Sequence, residues 1–122
     1  MCLTKLLPDH HKTDGVGYKV VCFGDGGIPE TFFWNVRHTL FPINEWVEDT
    51  GYGILLADDD SNYGTGFHIF ESYEDAYTFM KAFCRNSIKK YHVVKVEYKD
   101  VVCVGLQKQR KVIVARKVKV CA

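Results

Sequence analysis

The residues best placed to do chemistry lie in Gly64-Thr65-Gly66-Phe67-His68-Ile69-Phe70-Glu71-Ser72, where a histidine stands between a glycine-bearing loop and a helix start. Phe67 and Ile69 alternate with His68 and Phe70, as on the two faces of a short strand. An imidazole there, beside the unpaired N–H groups and the positive end of a helix, suits a small anionic, nucleotide-like ligand held near Gly66, His68 and Ser72. The competing reading gives His68 a structural hydrogen bond to a neighbouring carbonyl and makes Ser72 a helix cap.

A second candidate surface is basic. Lys108, Arg110, Lys111, Arg116, Lys117 and Lys119 crowd the C-terminal end and have the charge to follow a phosphate backbone or to meet a protein partner. Lysines that keep an edge strand from aggregating account for the same residues. Net charge is only +1, yet residues 1–60 carry −6 and residues 61–122 carry +7. Such polarity marks a partner surface, including one for a second copy of the chain, unless strands of the two halves interleave and cancel it.

Other chemistries fail on spacing. Asp58, Asp60 and Asn62 mimic alternate calcium ligands, but the turn glycine falls one residue late at Gly64 and Ile69 stands where the closing glutamate belongs. Gly24-Asp25-Gly26-Gly27 is followed by Pro29 where a dinucleotide loop needs a third glycine, so it reads as a hairpin turn. His10-His11 point apart in extended chain and have no further ligand nearby. The five cysteines form no Cys-x-x-Cys pair, and none sits at an evident helix start where a thiol would be activated. The acids cluster in loops rather than facing each other across strand ends. No metal and no cofactor is expected.

The elements that would position these groups follow from periodicity. Gly17–Phe23, Thr31–Val36, Tyr52–Ala57, Gly66–Phe70, Tyr91–Lys99, Val101–Val104 and Lys111–Cys121 read as strands, with Asp100 turning the chain and a polar turn from Gly105 to Arg110. In the last strand Val112, Val114, Val118 and Val120 fall in phase. The irregular stretch from Arg37 to Thr50 contains Trp46, which is expected to cover the edge of the core. Ser72-Tyr73-Glu74-Asp75 starts one helix, about 73–86, whose Tyr73, Ala76, Tyr77, Met80, Phe83 and Cys84 form an apolar stripe. The expected fold is α+β: a curved, mostly antiparallel sheet of about six or seven strands with that helix on one face. The chain reads as a single domain, 1–122, in which residues 1–16 are an arm or loop. At 122 residues, with 47% hydrophobic content, it can bury a core without metals or disulfides. No run approaches a membrane span, and the N-terminus is too short in apolar residues for a signal peptide, so a cytoplasmic protein is expected, in a host cell if the chain is viral.

The order Tyr18-Lys19-Val20-Val21, Gly66-Phe67-His68-Ile69-Phe70, a helix with Ala76, Val93–Tyr98 and Val112–Val120 resembles small phage and bacterial proteins that carry a Gly-x-His box before a helix. Those in turn look like pared-down ADP-ribosyltransferase-type folds. The resemblance implies that Lys19 and His68 bind a nucleotide and that Glu97, the late strand acid, is catalytic with His68. Glu97 lacks the accompanying serine or second glutamate of that motif. The leading expectation is therefore a small non-enzymatic binding protein, a phage or mobile-element accessory factor that inhibits a host defence protein or sequesters a nucleotide. An ADP-ribosyltransferase-like enzyme and a nucleic-acid-binding module are the alternatives.

Overall fold

Alternation of apolar and polar residues builds most of this chain into strands, and a computed structural model describes residues 3–7, 13–23, 29–31, 41–49, 54–57, 62–83 and 91–121. In chain order these form β1 (Lys5–Leu7), β2 (Asp14–Phe23), β3 (Pro29–Thr31), β4 (Trp46–Glu48), β5 (Ile54–Leu56), β6 (Asn62–Gly64), β7 (Phe67–Phe70), α1 (Tyr73–Phe83), β8 (Tyr91–Gln107) and β9 (Arg110–Val120). Seven strands make one antiparallel sheet and β5–β6 a separate ribbon. The fold is α+β, a curved antiparallel sheet with one helix among the described residues.

Curvature goes as far as closure. β2 pairs with β8, β8 with β9, β9 with β7, and β7 returns to β2 through Tyr18 and Phe70, so four strands form a ring. Their inward residues, among them Val21, Phe67, Ile69, Val96, Tyr98, Val104, Ile113 and Val118, share one enclosed cluster capped by Phe41. A second cluster lies outside the ring, where Ala76, Phe79 and Met80 of α1 cover Val20, Phe70, Val112 and Val114 together with Leu3 and Tyr63. Burial of both faces explains why β7 is apolar on each side, with His68 and Phe70 turned to the outer layer.

Several sequence expectations change here. The leading arm is, where described, structural: Leu3 is fully buried, Lys5–Leu7 pairs with Val104–Leu106, and Asp14–Val16 already belongs to β2. Tyr91–Lys99 and Val101–Val104 are one strand rather than two. Asp100 adopts a left-handed φ of 59°, which a short polar side chain tolerates, and a bulge follows between Val101 and Cys103. Tyr98 and Val101 on β8, and Val118 and Ala115 opposite them on β9, all belong to the enclosed cluster. Two consecutive residues on each strand, Lys99-Asp100 and Arg116-Lys117, therefore turn outward at a corner of the ring. For the same reason Val112 and Val114 face the outer layer while Val118 and Val120 face inward, so the four are not in one phase. The turn after β8 is only Lys108-Gln109, both at positive φ (48° and 70°), which matches the twist of a tight two-residue hairpin. Antiparallel pairing of β2 with β3 agrees with the expected hairpin. Its tip (residues 24–28), the rest of the second expected strand (residues 32–36), His10-His11, residues 58–60, and Cys84 with the expected helix end lie outside the described residues.

The helix begins as its sequence requires. Ser72 Oγ accepts a hydrogen bond from Asp75 N–H at 3.1 Å, and Glu74 and Asp75 occupy the positive end of the dipole. Ser72→Ala is expected to cost about 1 kcal/mol in urea unfolding, with Ser72→Asp restoring most of it. The buried stripe is narrower than the spacing suggested, since Tyr73 and Tyr77 lie exposed on its flank.

Candidate functional site

Lys19 and His68 are two of the three buried polar residues among the described ones, and the structure brings them together in an unexpected way. Lys19 shares the inward face of β2 with Gly17 and Val21. Its Nζ donates to the His68 carbonyl oxygen at 3.1 Å and lies 5.8 and 5.7 Å from the ring centres of Phe41 and Phe67. Burial lowers its pKa to about 8, against the negative charge of Asp49, which raises it. The contact is thus with the backbone of His68 and not with its ring.

The imidazole faces the other way. Leu3 N–H donates to Tyr63 Oη at 3.1 Å, and Tyr63 Oη lies 3.2 Å from His68 Nε2. Tyr63 Oη and Nε2 are within hydrogen-bonding distance, and the ring's tautomer sets which of them donates. Burial, then the charge of Lys19, push the His68 pKa down to about 3, while the ring's hydrogen bond to the Gly66 backbone works against this. Gly66 is fixed by a close crossing, because a Cβ there would lie 2.8 Å from Val114 Cγ1 and 2.9 Å from the Ala115 carbonyl oxygen. Ser72 is occupied as a cap. Thr65, His68, Glu71 and Ser72 of this stretch all find polar partners within the fold.

Glu97 lies elsewhere. It points outward from β8 and pairs with Lys119 on β9 at 2.7 Å. Lys19, His68 and Glu97 therefore face the ring interior, the layer beneath the helix and the outer surface respectively, and no acid–base set is assembled from them. The basic residues are likewise largely engaged. Lys111 meets Glu71 at 3.1 Å, Lys117 meets Asp100 at 3.1 Å, and Arg116 Nη1 donates to the Thr65 carbonyl and to Thr65 Oγ1 at 3.0 and 2.8 Å. Lys108 lies in the β8–β9 turn, where its N–H donates to Thr4 Oγ1, and Arg110 opens β9 just after it. Among the described residues no group of three or more His, Cys, Asp or Glu is placed to hold a metal ion, and no helix is long and apolar enough to cross a membrane. The Cys103 thiol is pushed up to about 11 by burial, which suits a packing role.

What the sequence reading missed is the exposure of three aromatics, Trp46, Tyr73 and Tyr77. Strand register places Val16, Glu97, Lys119 and Trp46 side by side across β2, β8, β9 and β4. Trp46 is 42% exposed, with Lys99 4.1 Å and Lys119 5.3 Å from its ring. At the other end Tyr18 meets Tyr73 edge-on at 5.7 Å, Tyr73 stacks on Tyr77 at 6.0 Å, and Lys81 lies 5.4 Å from Tyr77. Tyr73 and Tyr77 are 51% and 40% exposed. Their i, i+4 spacing was the available signal, and it looked the same as a core stripe. No protein-family model, curated protein or solved structure matches the chain.

Proposed function

We propose that this chain is a non-enzymatic binding protein that recognises a protein partner through the outer face running from α1 across β2, β8 and β9 to β4. The observation that carries the reading is the exposure of Trp46, Tyr73 and Tyr77 on a face whose charges are mostly paired within the chain. Trp and Tyr are the side chains that concentrate binding energy at protein interfaces, because they bury large area at little entropic cost. Ion pairs Lys117–Asp100 and Lys119–Glu97 cancel the positive field that a nucleic acid would need. A small anionic ligand near Gly64–Ser72 finds the Ser72 hydroxyl, the His68 ring and the Lys19 ammonium already bonded within the fold.

Capture from a lysate of the cell in which the protein acts, with cross-links mapped, tests this directly. Wild-type protein is expected to retain a protein whose cross-links fall on β2, β8, β9 and β4. Trp46→Ala with Tyr73→Ala and Tyr77→Ala should lower that affinity at least about tenfold, since each such anchor is worth about 1 kcal/mol or more. Unchanged affinity in the triple variant would overturn the reading. So would a nucleotide seen by native mass spectrometry to be retained by wild type and lost from Lys19→Met.

A further inference from the structure

Both buried bases of the described chain sit at one joint. β2 and β8 are paired through nine successive residues, Asp14 to Cys22, whereas β2 meets β7 only at Tyr18 and Phe70. From Val21 onward β2 pairs instead with β3, so among the described residues Lys19 and Val20 have no strand partner on that edge. The Lys19 side chain takes the place of the missing ladder by donating to the His68 carbonyl. On the other side of the same strand the His68 ring is buried, 3.2 Å from the Tyr63 hydroxyl. Closing the ring therefore requires two bases to stay away from water.

We propose that the β2–β7 joint is an acid-opened seam, in which β7 parts from β2 and wets Lys19 and His68 while the β8–β9 hairpin stays folded. The groups facing each base support this. Lys19 meets the charge of Asp49 after β4 and the carbonyl of His68 from β7, with Tyr98 of β8 in the same enclosed cluster, while the inward residues of β9 are apolar. His68 meets Lys19 from β2, Tyr63 from β6 and the charge of the chain's amino group, with Cys103 of β8 in the same layer; the buried residues that α1 adds to that layer are Ala76, Phe79 and Met80. Among the described residues no carboxylate acts on the His68 ring to hold its proton.

The sign follows for each base. Lys19 titrates at about 8 when closed and near 10.5 when wet, so protonation favours opening as pH falls from 10.5 to 8, and its effect is complete below 8. His68 titrates at about 3 when closed and near 6.5 when wet, so it adds nothing above 6.5 and favours opening as pH falls below that. The seam thus has an alkaline limb, a flat stretch between pH 8 and 6.5, and an acid limb.

Amide hydrogen exchange from about pH 10 to about pH 4, corrected for intrinsic rates and compared with residues 110–120 as reference, reads this profile. Protection of residues 17–20 and 68–71 is expected to fall relative to the reference on both limbs, by up to about tenfold per pH unit, and to hold steady between them. His68→Gln should remove the acid limb and leave the alkaline one; Lys19→Met should do the reverse. Loss of protection in step with residues 110–120 would show whole-chain unfolding and overturn the seam, as would an acid limb that survives in His68→Gln. The wild-type profile alone decides the matter if a variant does not fold.

Discussion

Lys19→Met is expected to make the protein more stable at pH 7, by about 1–2 kcal/mol in urea unfolding. Lys19 is 5% exposed, and its ammonium lies among Phe41, Phe67 and a single backbone oxygen. A folded pKa of about 8 against 10.5 in the open chain means that the unfolded state binds the proton more tightly. Stability contributed by this group is therefore absent below pH 8, grows as pH rises from 8 to 10.5, and amounts to about 3 kcal/mol across that window. Methionine has nearly the same length, fills the space between the two rings and favours aromatic neighbours. Against that gain stands the loss of the bond to the His68 carbonyl, about 1.5–3 kcal/mol for a charged donor, and of the attraction to Asp49. Unfolding at pH 7 and pH 10 separates these terms, since the variant should lose the alkaline rise as well as gain at neutrality. A variant less stable than wild type at pH 7 would mean that the bond and Asp49 outweigh the burial of charge.

How far this arrangement was legible in the sequence depends on the range of the physics involved. Ser72 as a cap, the opposite facing of Phe67/Ile69 and His68/Phe70, and the tight antiparallel architecture are local or periodic properties, and they emerge as expected. Asp100 read as a chain reversal because a polar residue between two valine-rich runs has that look. Only the pairing of both flanks with β9 reveals a corner within one strand. Tyr73 and Tyr77 read as core because helical spacing says which residues share a face, and not how wide a surface the ring offers to cover them. Lys19 was selected through a resemblance as a nucleotide ligand, yet its parity with Gly17 and Val21 on β2 already pointed it inward. Its bond to a carbonyl across the seam depends on where β7 leaves β2, which no window of local sequence contains. His68 stood out in the sequence as a candidate ligand residue, while Tyr63, whose hydroxyl meets its ring, gave no signal beyond being a tyrosine in a short strand.

Gly17→Ala is expected to destabilise the protein by about 3 kcal/mol, at the upper end of what a single added methyl costs in a packed interior. Gly17 precedes Tyr18, the one residue of β2 that pairs with β7. A Cβ at position 17 would lie 2.5 Å from Ile69 Cγ2 and 2.8 Å from the Phe70 carbonyl oxygen, with Tyr98 Cε1 at 3.6 Å. Ile69 is fully buried and the Phe70 oxygen is backbone, so neither yields as a flexible side chain would. Gly15 belongs to the same device: a Cβ there would meet Tyr98 Oη at 2.6 Å. Two glycines two residues apart thus let the Tyr98 ring lie flat against β2, and this close fit leaves its hydroxyl without a hydrogen-bond partner among the described residues. In an ordinary strand alanine would be preferred over glycine by roughly 0.5–1 kcal/mol, so the sign of the change is itself the test. Gly64→Ala is the control, because among the described residues the only atom near a Cβ there is the side-chain methyl Val102 Cγ1, at 3.2 Å, and no backbone stands in the way; it should fall within about 1 kcal/mol of wild type. Chemical denaturation of both variants compares them on one scale. A Gly17→Ala protein as stable as wild type would show that β7 can withdraw from β2 at little cost, and the ring would then be held shut by β8, β9 and the helix rather than at this joint.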